Sequence, residues 1–439
     1  MLSWAAAFRL RQHFRQSLWA VPLLGAVVGG ALAVADLRVE DHLALPREWS
    51  YSASTASSVL TTVSGAMIGL LGLVVTVGVL VVQMATGTLS PRFMRLWYRD
   101  RLQKLVLAAF AATFAFSFAL LREVGPGSVP HLGVTVAGVA VSVDLVLLLL
   151  YLDRFVHALR PVAVAAAVAR SGLAVLADGA DEVVPPARRR GAVVGRARGR
   201  ATPLLSTRAG AIQAFDAQGI VALATRRDLT CVLRCTVGDF VTAGGVMMDV
   251  HGGPSPRDLR RLRGMVALGH ERTIDQDPAF AVRIIVDIAI RALSPAVNDP
   301  TTATQMINHL GALLEGVGSR AQSERGTVVD ADGYLRLAAP TRSWDDYLDL
   351  GVSEIRQYGR GSPQTCRRLR AMLTDLDGVV LPARRPAVRR HLAALDEVVR
   401  LSFGDGDERR FALMADRQGV GGPSRPSRPP AAERAPGRE

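Results

Sequence analysis

The sequence predicts an α-helical integral membrane protein, with four transmembrane helices followed by a mixed α+β cytoplasmic domain. In that domain a small β module precedes a helical region. Three observations carry this. From Glu48 to Arg92 the chain runs through 43 residues without a charge, and about 18 or more apolar residues read as a membrane span. Three further apolar runs lie around it. Beyond residue 153 the pattern turns to charged segments punctuated by glycine and proline. A chain of 439 residues that is 49% hydrophobic and distributed this way is neither a purely soluble enzyme nor a disordered chain.

The first run covers roughly 16–35 and the second 57–84. The third lies between Lys104 and Arg122, 17 residues and just long enough to cross. The fourth covers roughly 132–152. Loop charges orient them. The N-terminal tail carries Arg9, Arg11 and Arg15, the first loop Arg38 and Arg47. The second loop carries Arg92, Arg95, Arg99, Arg101 and Lys104, and the third Arg122. Positive residues mark the cytoplasmic side, so both termini and the aqueous domain are expected in the cytoplasm of a bacterial inner membrane. A competing reading of the first run is a cleaved signal peptide, because an Arg-rich start and an apolar stretch lead to Ala31-Leu32-Ala33-Val34-Ala35.

Two polar features interrupt the spans. Asp144 sits in the fourth, and an intramembrane carboxylate is costly enough to be a functional candidate. The bland alternative is an Asp hydrogen-bonded to Thr113 or Ser117 of the third. In the second span Ser54, Ser58, Thr61 and Gly65 follow helical spacing, and Gly65-x-x-x-Gly69 is a small-xxx-small pattern. That face, with Ser58, Thr61, Gly65 and Gly69 at its centre, reads either as close helix–helix packing or as the lining of a pore in an oligomer.

The fourth run continues as an Ala/Val/Leu-rich segment interrupted by Pro161, read as a helix leaving the membrane. After Pro185-Pro186 come Arg188, Arg189, Arg190, Arg196, Arg198 and Arg200. No aromatic residue interleaves them, which disfavours base stacking and nucleic acid. Beside a cytoplasmic membrane face such a stretch suits anionic lipid head groups, at about 1 kcal/mol per residue. Net charge is +13. It rests on 51 Arg against the single Lys104, a bias that points to a GC-rich bacterial genome.

The β module reads as a strand at 210–215, a short helix at 218–226, a strand at 230–235, and a turn and strand from Val237-Gly238-Asp239-Phe240-Val241 to 246–250. The V-G-D-F-V-x-x-G segment resembles the hairpin of lipoyl-like folds. No lysine is present in this domain to carry the cofactor, so covalent lipoate or biotin is excluded and no cofactor is expected. Cys231 and Cys235 lack a second Cys or His pair and read as two structural thiols on one side of a strand.

Beyond Gly253 the pattern is helical. Residues 280–293 are apolar almost all round except for Arg283, Asp287 and Arg291, spaced to form a ladder. Ser294-Pro295 ends that helix, and Asp299-Pro300 starts the next as cap and first turn. The alternative to a salt-bridge ladder and a tight corner is a polar ligand site of Arg283, Asp287, Arg291, Asn298 and Asp299. Residues 344–411 read as three amphipathic helices, and the tail after Gly419 as disordered.

The segments Q-D-P-x-F-x-x-R and D-I-A-x-R-A-L-S-P-x-x-N-D-P-T-T-A, with V-G-D-F-V and the S-A-S start of the second span, resemble the bacterial domain-of-unknown-function family 2254, predicted membrane proteins. The resemblance covers nearly all of residues 1–415. It implies four spans and a cytoplasmic domain, and no catalytic residues.

The expected division is 1–153, a four-helix transmembrane domain; 154–204, a helical exit segment and Arg-rich linker; 205–252, the β module; 253–417, a helical cytoplasmic domain; and 418–439, a tail. There is no P-loop, G-x-S-x-G, metal-ligand cluster or Cys/His pair, so no enzyme and no metal site is expected. The expected function is that of a homo-oligomer conducting ions or small solutes. The alternative is a membrane-anchored sensor or scaffold whose cytoplasmic domain binds a ligand or partner.

Overall fold

The computed structural model describes residues 3–40, 50–88, 100–125, 128–158, 160–181, 200–320 and 325–422. The first helices are α1 (Trp4–Gln16), α2 (Ala20–Glu40), α3 (Ala53–Thr88), α4 (Arg101–Leu121), α5 (His131–Ala158) and α6 (Pro161–Asp181). Then come β1 (Thr202–Leu205), β2 (Gly210–Phe215), α7 (Ala217–Arg227), β3 (Thr230–Leu233), β4 (Phe240–Val241), β5 (Val246–His251), α8 (Pro256–Arg263) and β6 (Val266–Gly269). The last part holds α9 (Pro278–Ala292), α10 (Pro300–Gly318), β7 (Arg325–Val329), β8 (Leu335–Pro340), α11 (Trp344–Leu348), α12 (Glu354–Tyr358), α13 (Pro363–Val379), α14 (Arg385–Ser402) and α15 (Asp407–Leu413). The chain divides into two compact units: 1–164 with 214–216 and 256–269, and the remainder.

In the first unit, α2, α3, α4 and α5 are each long and apolar enough to cross a membrane. The four expected spans are there, and the protein is an integral membrane protein. The first span is shifted. Trp4–Gln16 is a helix of its own, capped by the Ser3 hydroxyl, which accepts the Ala6 N–H. The Arg-rich start is therefore a structured element. α1 lies on β6: the Ala5 N–H donates to the Gly264 carbonyl (2.8 Å), and Ala5, Ala214 and Ala267 form a small core with Trp4 and Phe8.

The closest crossing in the bundle is between α2 and α4. A Cβ at Gly25 would stand 2.3 Å from the Ala108 carbonyl oxygen, and one at Gly29 2.1 Å from that of Ala112. Without a hydrophobic drive between helices in lipid, small residues that let backbones approach supply the packing. Two apolar clusters fill the rest. Ala33, Ala56, Leu60, Phe116, Leu120, Val134 and Ala137 form one; Val63, Met67, Val74, Phe110, Leu148 and Tyr151 anchor the other. One end of the bundle is stitched by polar bonds. The Glu40 carboxylate accepts the His131 N–H (2.7 Å), and His131 Nδ1 accepts the Tyr51 N–H (2.9 Å).

In the second unit a five-stranded sheet has the order β1-β5-β3-β8-β7. β5 is antiparallel to both β1 and β3, and β3 runs parallel to β8 with Cys231 opposite Leu337. The strands and short helix expected between 210 and 250 form, but the expected hairpin of 237–250 does not. β4 pairs with β2, placing Val241 opposite Gly210. The Gly244-Gly245 link is held at the end of β1 instead: the Gly244 N–H donates to the Ser206 carbonyl, and the Ser206 N–H to that of Gly245. The sheet also does not end at residue 252. The hairpin β7–β8, inside the region expected to be helical, completes it. Its turn is closed by Asp330, whose Oδ1 accepts the Asp332 and Tyr334 N–H groups.

Helices make the rest of this unit's core. α9 is buried around most of its circumference, from Ala279 through Ala292. α6 packs on α9 and α10 through Gly172, where a Cβ would lie 2.8 Å from the Ala281 Cβ. The apolar surface of α9 is thus satisfied inside one chain and needs no second copy. Residues 344–411, expected as three helices, are more broken: a π-helical turn at Asp349–Ser353 separates α11 from α12, and a short α15 follows α14.

Candidate functional site

The polar residues predicted on the second span fall on one outer face of α3. Ser54, Ser58, Thr61, Thr62, Gly65, Gly69, Gly72 and Thr76 are all exposed. Ala56, Leu60, Val63, Met67 and Val74 take the buried face. A Cβ added at Gly65, Gly69 or Gly72 would meet no atom within 4 Å. Among the described residues the small-xxx-small pattern of α3 therefore packs nothing, and the close approach to α4 is made by Gly25 and Gly29 of α2. Thr62 donates its hydroxyl to the Ser58 carbonyl and Thr76 to that of Gly72, each at 2.8 Å. The helix carries its polar groups by satisfying them along its own backbone.

Asp144 lies inside the bundle, 2% exposed. Its carboxylate is hydrogen-bonded by the Thr113 side chain, one of the two partners expected, while its Oδ2 has none. Ser117 is fully buried and its hydroxyl is likewise without a partner.

In the second unit the predicted ladder on α9 is partly realised. Arg283 Nε donates to Asp287 Oδ1 (2.6 Å), and its two terminal nitrogens donate to Glu354 Oε1 and Oε2 at 2.6 and 2.8 Å. The bidentate hydrogen bonds to Glu354, reinforced by Asp287, push the guanidinium pKa further up. Glu354 lies 71 residues away on α12 and carries no local signal; a contact of that range is set by the tertiary fold. Asp299 is occupied as the cap of α10, accepting from the Thr302 N–H (3.0 Å) and Thr302 Oγ1–H (2.5 Å). Its own N–H donates to the Ala292 carbonyl (2.7 Å). Asn298 adopts φ +47° and is exposed. The S-P-x-x-N-D-P segment is thus a tight corner, with Asn298 supplying the left-handed residue.

A second node was not foreseen as such. Gly238 of the V-G-D segment meets the Q-D-P segment. At φ +94° a Cβ there would stand 2.3 Å from an Arg272 nitrogen and 2.5 Å from Asp277 Oδ2. Asp277 caps α9 through the Phe280 N–H (3.3 Å) and lies 3.6 Å from Arg272 Nε. Burial raises its pKa, opposed by Arg272 and Arg342; burial, then Asp277, raises that of Tyr347. Both motifs were visible in the sequence, but their mutual contact was not.

Burial pushes the Cys231 and Cys366 thiols up to about 12 and Cys235 up to about 11, leaving all three protonated and poor metal ligands near neutrality. Arg188, Arg189, Arg190, Arg196 and Arg198 lie outside the described residues, as does the tail beyond 422; Arg200 is exposed.

A family model described as "Predicted membrane protein (DUF2254)" matches residues 15–375. Uncharacterized proteins of Mycobacterium bovis and of two Mycobacterium tuberculosis strains are 32% identical to this chain over 426 residues, covering 92% of it and 80% of each relative. No solved structure matches.

Proposed function

We propose, for a chain that belongs to the DUF2254 family of predicted membrane proteins, that copies assemble in the bacterial inner membrane and conduct ions or small solutes along α3. The outer face of α3 carries the proposal. It is a continuous stripe of Ser, Thr and Gly on a 36-residue helix, longer than the roughly 20 residues a crossing needs, with room for another helix at each glycine. Facing lipid the stripe gains little. Facing copies of itself it closes an uncharged, hydroxyl-lined path.

The orientation follows the loop arginines, with both termini cytoplasmic. The hydrogen bond from Ala5 to Gly264 supports this, since it requires the N-terminal helix and residues 256–269 to share one side. The Arg188–Arg200 stretch then meets anionic head groups. The aqueous domain performs no catalysis in this reading; turnover of a metabolite lost in Asp299→Asn, with folding intact, would contradict that.

Mass determination of the detergent-solubilised protein tests assembly, and bilayer recordings test conduction. An oligomer whose conductance falls in Thr61→Val and whose assembly fails in Gly69→Leu is the expected result. A strict monomer removes the pore. An oligomer silent under voltage, tension and osmotic shock leaves an anchored sensor or scaffold.

A further inference from the structure

A layer of buried polar residues lies at and beside the junction of the two apolar clusters of the membrane bundle. On α3 the chain passes from Leu60 of one cluster to Val63 of the other, and Ser64 follows within the second. On α4 it passes from Phe116 to Phe110 across Thr113, with Ser117 one turn from Thr113. On α5 it passes from Ala137 to Leu148 across Asp144. These four polar residues sit on the inward faces of three helices that pack together. Each is more than nine-tenths buried: Ser64 is 7% exposed, Thr113 6%, Ser117 0% and Asp144 2%.

The bonding of the layer is incomplete. Thr113 hydrogen-bonds the Asp144 carboxylate. Asp144 Oδ2, Ser64 Oγ and Ser117 Oγ have no partner. The spans bring no basic residue to this depth: α4 has none between Lys104 and Arg122, α5 none between His131 and Arg154, α3 none at all, and α2 none before Arg38. A buried carboxylate without a counter-charge costs several kcal/mol even after relaxation. A cation must therefore enter with it. One carboxylate and three neutral hydroxyls balance a single positive charge, whereas a divalent ion would leave an excess charge in the membrane. The donors are all oxygens, which suits a hard ion and excludes a soft one.

We propose that this layer binds one small monovalent cation, a proton or a sodium ion, on the Asp144 carboxylate, with Ser64, Thr113 and Ser117 supplying the remaining oxygens. A proton on Oδ2 neutralises the carboxylate. A sodium ion takes the carboxylate and hydroxyl oxygens as ligands. The site lies on the inward faces of one chain, away from the outer stripe of α3, so it requires neither assembly nor a pore.

The test uses the full-length protein in lipid nanodiscs. Thermal unfolding is followed against sodium at constant ionic strength, with choline as replacement, and infrared difference spectra record the carboxyl bands between about pH 5 and pH 9. A midpoint that rises with sodium, accompanied by a shift in the carboxylate bands, identifies sodium. A carboxyl C=O band that titrates with pH and ignores sodium identifies a proton. Either response is expected to vanish in Asp144→Asn and to weaken about tenfold in apparent affinity in Ser117→Ala, the loss of one buried hydrogen-bonding group. Sodium and pH responses of wild type identical to those of Asp144→Asn overturn the site. Should Asp144→Asn not fold, Ser117→Ala and Ser64→Ala carry the comparison, and responses identical to wild type in both overturn it.

Discussion

The membrane bundle and the aqueous unit solve the same packing problem with opposite materials. In the bundle, close contact comes from glycine, at Gly25 and Gly29 against the α4 backbone, and buried oxygens such as Ser117 Oγ stand without partners. In the aqueous unit, the bulk of the core comes from Ile, Leu and Val on α9 and α10, and arginine ties down backbone carbonyls. Arg367, fully buried, donates to the carbonyls of Met414 (3.1 Å), Gly421 (3.0 Å) and Gly422 (2.7 Å) and lies over the Phe411 ring. The difference teaches where each solvent puts the driving force. Water rewards burial of large apolar side chains. Lipid does not, so backbone proximity decides.

The comparison breaks most visibly at Gly29. Gly29→Leu should cost about 3 kcal/mol or more and abolish a folded, monodisperse protein in detergent, because the α4 backbone has no way to yield. Gly65→Leu should leave the bundle folded; an equal loss there would mean that the outer face of α3 is packed inside one chain. In the aqueous unit the matching experiment is Arg367→Met, expected to cost about 3 kcal/mol by removing the donor to three carbonyls from a fully buried position. Limited proteolysis should then release the segment from 414 to 422. Arg367→Lys should not restore it, since an ammonium lacks the planar fork.

A smaller effect is expected at Arg283→Ala, about 1 kcal/mol by denaturant unfolding of the aqueous unit in the full chain. Its partner Glu354 is 42% exposed, and solvent screens the pair. The smallest is a pH effect. Burial, with Arg356 beside it, lowers the pKa of His391 from 6.5 despite Asp349 nearby. The unfolded chain therefore takes up the proton first. Stability is whole above about pH 6.5 and declines as pH falls through that value. His391→Gln should flatten this acid limb of the unfolding profile; an unchanged limb would assign it to other groups.

Much of the membrane half was legible because a charge-free run has one structural meaning. The four spans follow from the positions of Glu48, Arg92, Lys104 and Arg122. Helix α1 was not, since its arginines read equally well as a flank of the first span, and only contact with β6 makes it an element. In the aqueous half, the cap at Asp299 was legible, because its side chain acts within three residues. The hairpin β7–β8 was missed because its strands take meaning from β3, about a hundred residues away. Shorter separations hid Glu354 from Arg283, 71 residues apart, and Gly238 from Arg272. The outer face of α3 was legible as a stripe; that the close approach to α4 falls to Gly25 and Gly29 of α2 was not.

The single lysine of the chain is spent on one joint. Lys104 is buried, and its Nζ donates to the carbonyls of Phe14 (3.4 Å) and Arg15 (2.6 Å) at the end of α1. A compact ammonium with three donors suits helix-end carbonyls. The consequence is chemical. Apart from the N-terminal amine, this protein offers reagents that attack amines no side-chain target unless α1 lifts from α4. Acylating labels and lysine cross-linkers pass over a surface rich in guanidinium, and where one does attach to Nζ, it reports that the joint had opened.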